Sequence, residues 1–152
     1  RMIGRCLRAV TDQEAMGERS VRVDCDVVQA DGGTRAASIT GAYVALYQAF
    51  AMLNKKRLVA KIPLTSAVAA VSIGLVKGQL LLDLDYTEDQ AATVDFNVAM
   101  TDNGGLVEFQ GAAEGAPFSR QLLHQVIELA EKGMDPLFQA QRVAIESLTQ
   151  DQ

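Results

Sequence analysis

The chain has 152 residues, 49% of them hydrophobic and 22% charged, with a formal net charge of −5. That suits one globular domain, or one and a half, with a real core, and aromatics at 5% with no Trp leave Ala, Val, Leu and Ile to fill it. The acidic balance argues against a dedicated polyanion binder, although Arg1, Arg5, Arg8, Arg19, Arg22 and Arg35 all fall in the first quarter and can still form a local basic patch.

Cys6 and Cys25 stand apart from each other, and His124 is the single histidine. This excludes the usual zinc spacings and argues against a Ser-His-Asp or Cys-His nucleophile. Two scattered cysteines suit a reducing cytoplasm. There is no signal-peptide pattern, and the apolar stretches read as too interrupted to span a bilayer, so no membrane partner is expected.

In chain order, residues 1–10 read as an amphipathic helix, with Met2, Ile3, Cys6, Leu7 and Val10 at helical spacing. No capping residue precedes it, so further residues are expected upstream. From Glu18 to Gln29 the valines and Cys25 alternate with Arg22, Asp24 and Asp26, which predicts a strand. Asp31-Gly32-Gly33 breaks it. A helix is predicted from Thr34 to about Asn54 on the stripe Ile39, Ala42, Tyr43, Leu46, Phe50 and Leu53, with Gly41 allowing a close backbone approach. Asn54 to Arg57 is a charged loop and Ile62-Pro63-Leu64 an extended connector, so subdomains are expected at 1–58 and 59–152.

Residues 67–76 and 79–85 predict a hairpin around Lys77-Gly78. A short polar connection, about one helical turn, spans Thr87 to Thr93. Residues 94–100 and 106–111 predict a second pair of strands around Asp102-Asn103-Gly104-Gly105. Ser119 is placed to cap a long closing helix, with an interruption at Gly133 before Pro136. The fold class is α/β (α+β): mixed sheets with antiparallel hairpins and helices packed on one face.

Chemistry concentrates in two places. Asp31-Gly32-Gly33-Thr34-Arg35 joins strand to helix. It reads as an anion site, because glycines admit an oxyanion to backbone N–H groups at a helix start. It also reads as a tight turn with Asp31 as cap and Arg35 solvated, the reading the pattern alone favours. The second is Asp83-Leu84-Asp85-Tyr86-Thr87-Glu88-Asp89 followed by Asp95. Asp83 and Asp85 are expected on one face of a strand that Asp89 closes. Carboxylates so clustered suit Mg²⁺, or a general acid at Asp89, or merely a solvated acidic turn. Gln110 to Gly115 reads as a bulge or turn, or as a bent strand end with a buried-edge Glu114. Arg1, Arg5 and Arg8 share helical spacing and form either an RNA-facing stripe or a solvated face.

The run from Val23 to Ala42, including Asp31-Gly32-Gly33-Thr34-Arg35, closely resembles the signature stretch of the ribonuclease PH family. Ala69 to Gly74, Leu82 to Asp89 with Asp95, and Val107 to Ser119 follow in that family's order, so the resemblance covers essentially the whole chain. It implies the ribonuclease PH-like fold and a phosphorolytic 3′→5′ exoribonuclease, a tRNA nucleotidyltransferase that trims precursor tRNA 3′ ends with inorganic phosphate and releases nucleoside diphosphates. It implies that Gly33, Thr34 and Arg35 bind phosphate, that Asp89 and Asp95 serve catalysis and hold Mg²⁺, and that the partners are RNA and further copies of the chain in a hexamer, a trimer of dimers. The family's N-terminal half, with another phosphate-contacting arginine just before Arg1, is not in this sequence. A companion fragment or a longer chain is therefore expected, and activity of these residues alone is in doubt. The competing readings are a catalytically silent subunit of an exosome-like ring and the core of a polynucleotide phosphorylase.

Overall fold

Apolar runs broken by short turns fold back on themselves here as antiparallel hairpins. The computed structural model describes residues 1–150. Strands β1 (Val68–Val76) and β2 (Gln79–Leu82) are joined by Lys77 and Gly78, whose φ values of 50° and 82° make the left-handed turn that matches strand twist. Strands β3 (Ala92–Thr101) and β4 (Leu106–Ala113) form the second hairpin. Because β1 also pairs with β3, the order is β2-β1-β3-β4, and every pairing is antiparallel rather than mixed.

The two-residue period sorts side chains onto opposite faces. Val71, Ile73, Val94, Phe96 and Val98 face helix α5 (Arg120–Gln150) and meet Val126, Ala130, Met134 and Phe138. Val68, Ala70 and Ala99 face the other way, toward helices α1 (Met2–Ala9) and α3 (Thr34–Lys55), where Cys6, Ile39, Leu46 and Phe50 fill the interior. Helices therefore cover both faces, not one, because β1 and β3 are apolar on both sides over this stretch. Burying each large apolar side chain contributes about 1.5–3 kcal/mol. Cys6 sits wholly inside, and burial, then the nearby Glu108 carboxylate, pushes its thiol up to about 11.

β2 pairs with β1 only from Ile73 onward, so the earlier part of β1 needs other partners. Thr40 on α3 accepts the Ala70 N–H at 3.2 Å. Gln141 on α5, 3% exposed, donates its amide to the carbonyls of Val68 and Thr40, both at 2.9 Å. One side chain thus ties both helices to the sheet.

Several expectations need correction. Residues 18–29 form no strand: they run as exposed irregular chain, with Val28 96% exposed, because no described strand lies beside them to share backbone hydrogen bonds. A short helix α2 (Gln13–Met16), capped by Asp12, precedes them. Neither Gly133 nor Pro136 interrupts α5; packing of Met134 and Phe138 on either side holds the helix through the proline. Gly133 is where α5 presses on the sheet, since a Cβ there would lie 2.9 Å from Leu82 Cδ1. Gly41, in contrast, faces open space. By length and composition α3 could cross a bilayer, contrary to the sequence reading, yet its buried stripe packs on β1, α1 and α5 as a core helix does.

Gln141→Leu keeps the volume and removes both amide donations. The expected cost is about 1–3 kcal/mol, from leaving the Val68 carbonyl buried and unpaired. Urea denaturation measures it; an unchanged midpoint would show that Gln141 ties nothing together.

Candidate active site

Along one face of the sheet the core gives way to polar side chains. Past Ala70 and Ala99, this face carries Ser72 opposite Asn97, then Gly74 opposite Asp95, with Asn97 in turn opposite Gln110. The first turn of α3 closes one side of this polar stretch, and a short helix, α4 (Tyr86–Ala91), closes the other.

The glycine pair brings these helices together. Gly32 lies so close to the 84–85 backbone that a Cβ would sit 1.9 Å from the Leu84 carbonyl oxygen. Gly33 is left-handed, φ 69°, and caps α3 with no side chain, so the first-turn amides of α3 have no side-chain acceptor. Asp31 does not cap α3: its Oδ1 accepts the Tyr86 N–H at the start of α4 at 2.5 Å as well as the Gly32 N–H at 3.0 Å. One carboxylate therefore clasps two loops 55 residues apart.

The acidic run does not lie as expected. β2 stops at Leu82, and Asp83 turns left-handed at φ 60°. That turn drives Leu84 into the interior over Gly74, and Asp85 then caps α4 in a reciprocal box with Glu88, each side chain bonding the other's backbone N–H. Asp83 and Asp85 thus share no strand face, and Asp89 sits on α4 rather than closing a strand. The Asp-x-x-Glu spacing at 85–88 was the signal for this cap.

A cavity of about 580 Å³ results. Gly33, Thr34, Arg35, Asp89 and Asp95 all line it, joined by Asp31, Ser72, Gln90, Asn97 and Glu114. Glu114 is exposed there, not buried at an edge; the buried glutamate is Glu108. Ser72 and Asn97 went unnoticed in the sequence, although a lone polar residue inside an apolar strand is the usual mark of one. Arg1, Arg5 and Arg8 do not line the cavity. Arg5 is committed elsewhere, its guanidinium 2.6 Å from both oxygens of Glu108, so it is no free cation for RNA.

The cavity's charges are unequal. Asp31, Asp89, Asp95 and Glu114 oppose the single guanidinium of Arg35. Such a site takes an anion readily only with a cation beside it. Among the described residues no group of three His, Cys, Asp or Glu could enclose a metal. Asp89 and Asp95 line the same cavity, and Mg²⁺ is commonly held by one or two carboxylates with several waters.

Two family models match the chain: the 3′ exoribonuclease family, domain 1, over residues 1–51, and domain 2 of the same family over residues 66–133. The chain belongs to the ribonuclease PH family. It is 58% identical over 144 residues to ribonuclease PH of Synechococcus sp. (strain CC9605), a match covering 95% of this chain and 58% of that relative. The chain thus spans little more than half the length of this relative. The crystal structure of rice (Oryza sativa) Rrp46 shares the fold, with a TM-score of 0.61 at 17% identity over 78% of this chain and 51% of that one. The ribonuclease PH fold thus accounts for the mixture of helices and antiparallel sheet.

Two glycines test the closure of the cavity. Gly32→Ala is expected to destabilise by roughly 1–3 kcal/mol, as overpacking does, because Leu84 cannot retreat without unseating α4. Gly41→Ala, inside a helix with open space around it, is expected to stabilise by about 0.5–1 kcal/mol. Thermal unfolding of both variants decides; equal effects at the two positions would refute the contact at Gly32.

Proposed function

We propose that this chain acts in a phosphate-dependent 3′→5′ exoribonuclease that trims the 3′ ends of tRNA precursors. The single observation behind the reading is that one cavity gathers an uncapped helix start with Thr34 and Arg35 and the carboxylates of Asp89 and Asp95. The 58% identity to a ribonuclease PH supports it.

In this reading the first-turn amides of α3, the Thr34 hydroxyl and the Arg35 fork hold inorganic phosphate, a binding mode open to any helix N-terminus. A phosphate oxygen attacks the phosphorus of the terminal linkage, and the bond to the 3′ oxygen of the preceding nucleotide breaks. In this reading that oxygen takes its proton from water, with Asp89 as the carboxylate that guides the transfer. The product is a nucleoside diphosphate whose outer phosphate was the inorganic one. Asp89 and Asp95 would hold Mg²⁺, which when bound neutralises charge on phosphoryl oxygens. Assembly of copies into a hexamer, a trimer of dimers, in a reducing cytoplasm completes the proposal; light scattering reads the mass, and a monomer would refute the assembly.

The activity test incubates the chain with a short RNA and Mg²⁺, with and without phosphate. Nucleoside diphosphates are expected only with phosphate, and Asp89→Asn is expected to slow their release by about 100-fold or more. Nucleoside monophosphates, or full turnover by Asp89→Asn, would overturn the assignment.

A further inference from the structure

We infer that Ser72 is an additional phosphate ligand: its hydroxyl, on the floor of the cavity beneath the start of α3, donates a hydrogen bond to an oxygen of the attacking inorganic phosphate. The inference rests on the phosphorolytic reading above.

Ser72 is 5% exposed, and its Oγ has no hydrogen-bond partner among the described residues. Buried hydroxyls are nearly always paired, so an unpaired one in an otherwise well-bonded strand needs a partner from outside the fold. Its neighbours on this face of β1 and β3 toward the core are Val68, Ala70 and Ala99, where alanine or valine packs well, so nothing in the core calls for an oxygen here.

The position of the hydroxyl names the partner. A Cβ added to Gly33 would fall 2.9 Å from Ser72 Oγ and 3.6 Å from Ser72 Cβ. The missing side chain of Gly33 therefore leaves its space directly beside the hydroxyl, at the place where α3 presents its uncapped amides. An oxyanion there meets backbone N–H groups from the helix and O–H from the sheet, with an Asp83 carboxylate oxygen 3.8 Å from the same point. Across the ladder stands Asn97, also buried and lining the same cavity, and the next pair along that face is Gly74 with Asp95. Successive residues on one strand face lie about 7 Å apart. An anion seated at Ser72 thus stands about one phosphate diameter from the carboxylate end, where the bond to the 3′ oxygen breaks. Ser72 holds the attacking group; Asp89 and Asp95 serve the leaving one.

Calorimetric titration of the full chain with inorganic phosphate, in Mg²⁺ at constant ionic strength, tests this. Ser72→Ala is expected to weaken phosphate binding about 10-fold or more, the loss of one hydrogen bond to a charged group. Ser72→Cys, with a weaker donor, is expected to fall between and carries the measurement should the alanine variant not fold. Binding of a short oligoribonucleotide without phosphate should be unchanged. The melting temperature of phosphate-free Ser72→Ala should equal or exceed that of the parent chain, since an unpaired buried hydroxyl has been removed. A variant that binds phosphate as the parent does, or one that loses oligoribonucleotide rather than phosphate affinity, overturns the inference. So does a several-degree fall in phosphate-free melting temperature with phosphate affinity intact, the signature of a structural serine. A parent chain that binds no phosphate overturns the phosphorolytic reading itself, and the assignment of Ser72 with it.

Discussion

The close approach of two backbones at Gly32 and Leu84 is the contact on which the candidate site depends. With 1.9 Å between the carbonyl oxygen and the place a Cβ would take, no side chain can intervene. The contact fixes the start of α3 against the start of α4, and Asp31 locks it by accepting the Tyr86 N–H from the far side of the gap. Every residue assigned to chemistry is then positioned at second hand. Thr34 and Arg35 leave from the end of one loop, and Asp89 follows the end of the other by one helical turn. Asp95 lies on the strand beneath both. A constellation drawn from three parts of the chain keeps its geometry because peptide units, not flexible side chains, set the spacing.

That rigidity matters because the site's charges pull in opposite directions. An anion loop on its own asks only for a helix start and a cation. Here the cavity also holds Asp31, Asp89, Asp95 and Glu114. Left free to relax, Arg35 and the carboxylates would reduce their energy by pairing with one another. Among the described residues Arg35 makes no such pair, and Asp31 is spent on the Tyr86 N–H. Holding like and unlike charges apart in fixed places is the preorganisation that lets a site bind a phosphate and manage a departing oxyanion without rearranging.

Much of this was legible in the residues, and the failures share one cause. The strands and hairpins of the sheet followed from the turns at Lys77-Gly78 and at Asp102-Asn103-Gly104-Gly105, which are local properties. So did α3, from its stripe of Ile39, Tyr43, Leu46 and Phe50. What could not be read was where each element would find its partner. Residues 18–29 carry as clear an alternation as any strand, yet a strand exists only beside another strand. Gly133 reads as a break because sequence cannot show Leu82 waiting beneath it. Asp31 was read as a cap of α3, but its carboxylate accepts the Tyr86 N–H instead, and a helix start 55 residues away does not announce itself. The acidic run was read as the end of a strand, with Asp83 and Asp85 on one face; only the left-handed turn at Asp83 and the Asp85–Glu88 box, both settled by tertiary contact with Gly74 and Gly32, redirect it. In the site, the marks that were visible were those carried by contiguous motifs, and the ones missed, Ser72 and Asn97, are single polar residues whose meaning lies across a ladder.

α3 also joins the stability of the fold to the occupancy of the site. Its middle and C-terminal turns supply Ile39, Leu46 and Phe50 to the core, and its Thr40 completes the backbone bonding of β1. Its first turn carries no side-chain cap and, in the proposed function, supplies the anion site. A capping serine or aspartate in place of Gly33 would satisfy an amide and strengthen the helix, but it would put a side chain where the ligand goes, in a backbone conformation that side chains rarely adopt. The helix therefore stays less stable than its sequence allows until an anion arrives. Because such an anion binds the folded chain and not the unfolded one, its binding returns stability in proportion to RT ln(1 + [L]/Kd). If the proposed function holds, the glycine that opens the site makes the start of the longest core helix on that face the part of the fold most responsive to phosphate.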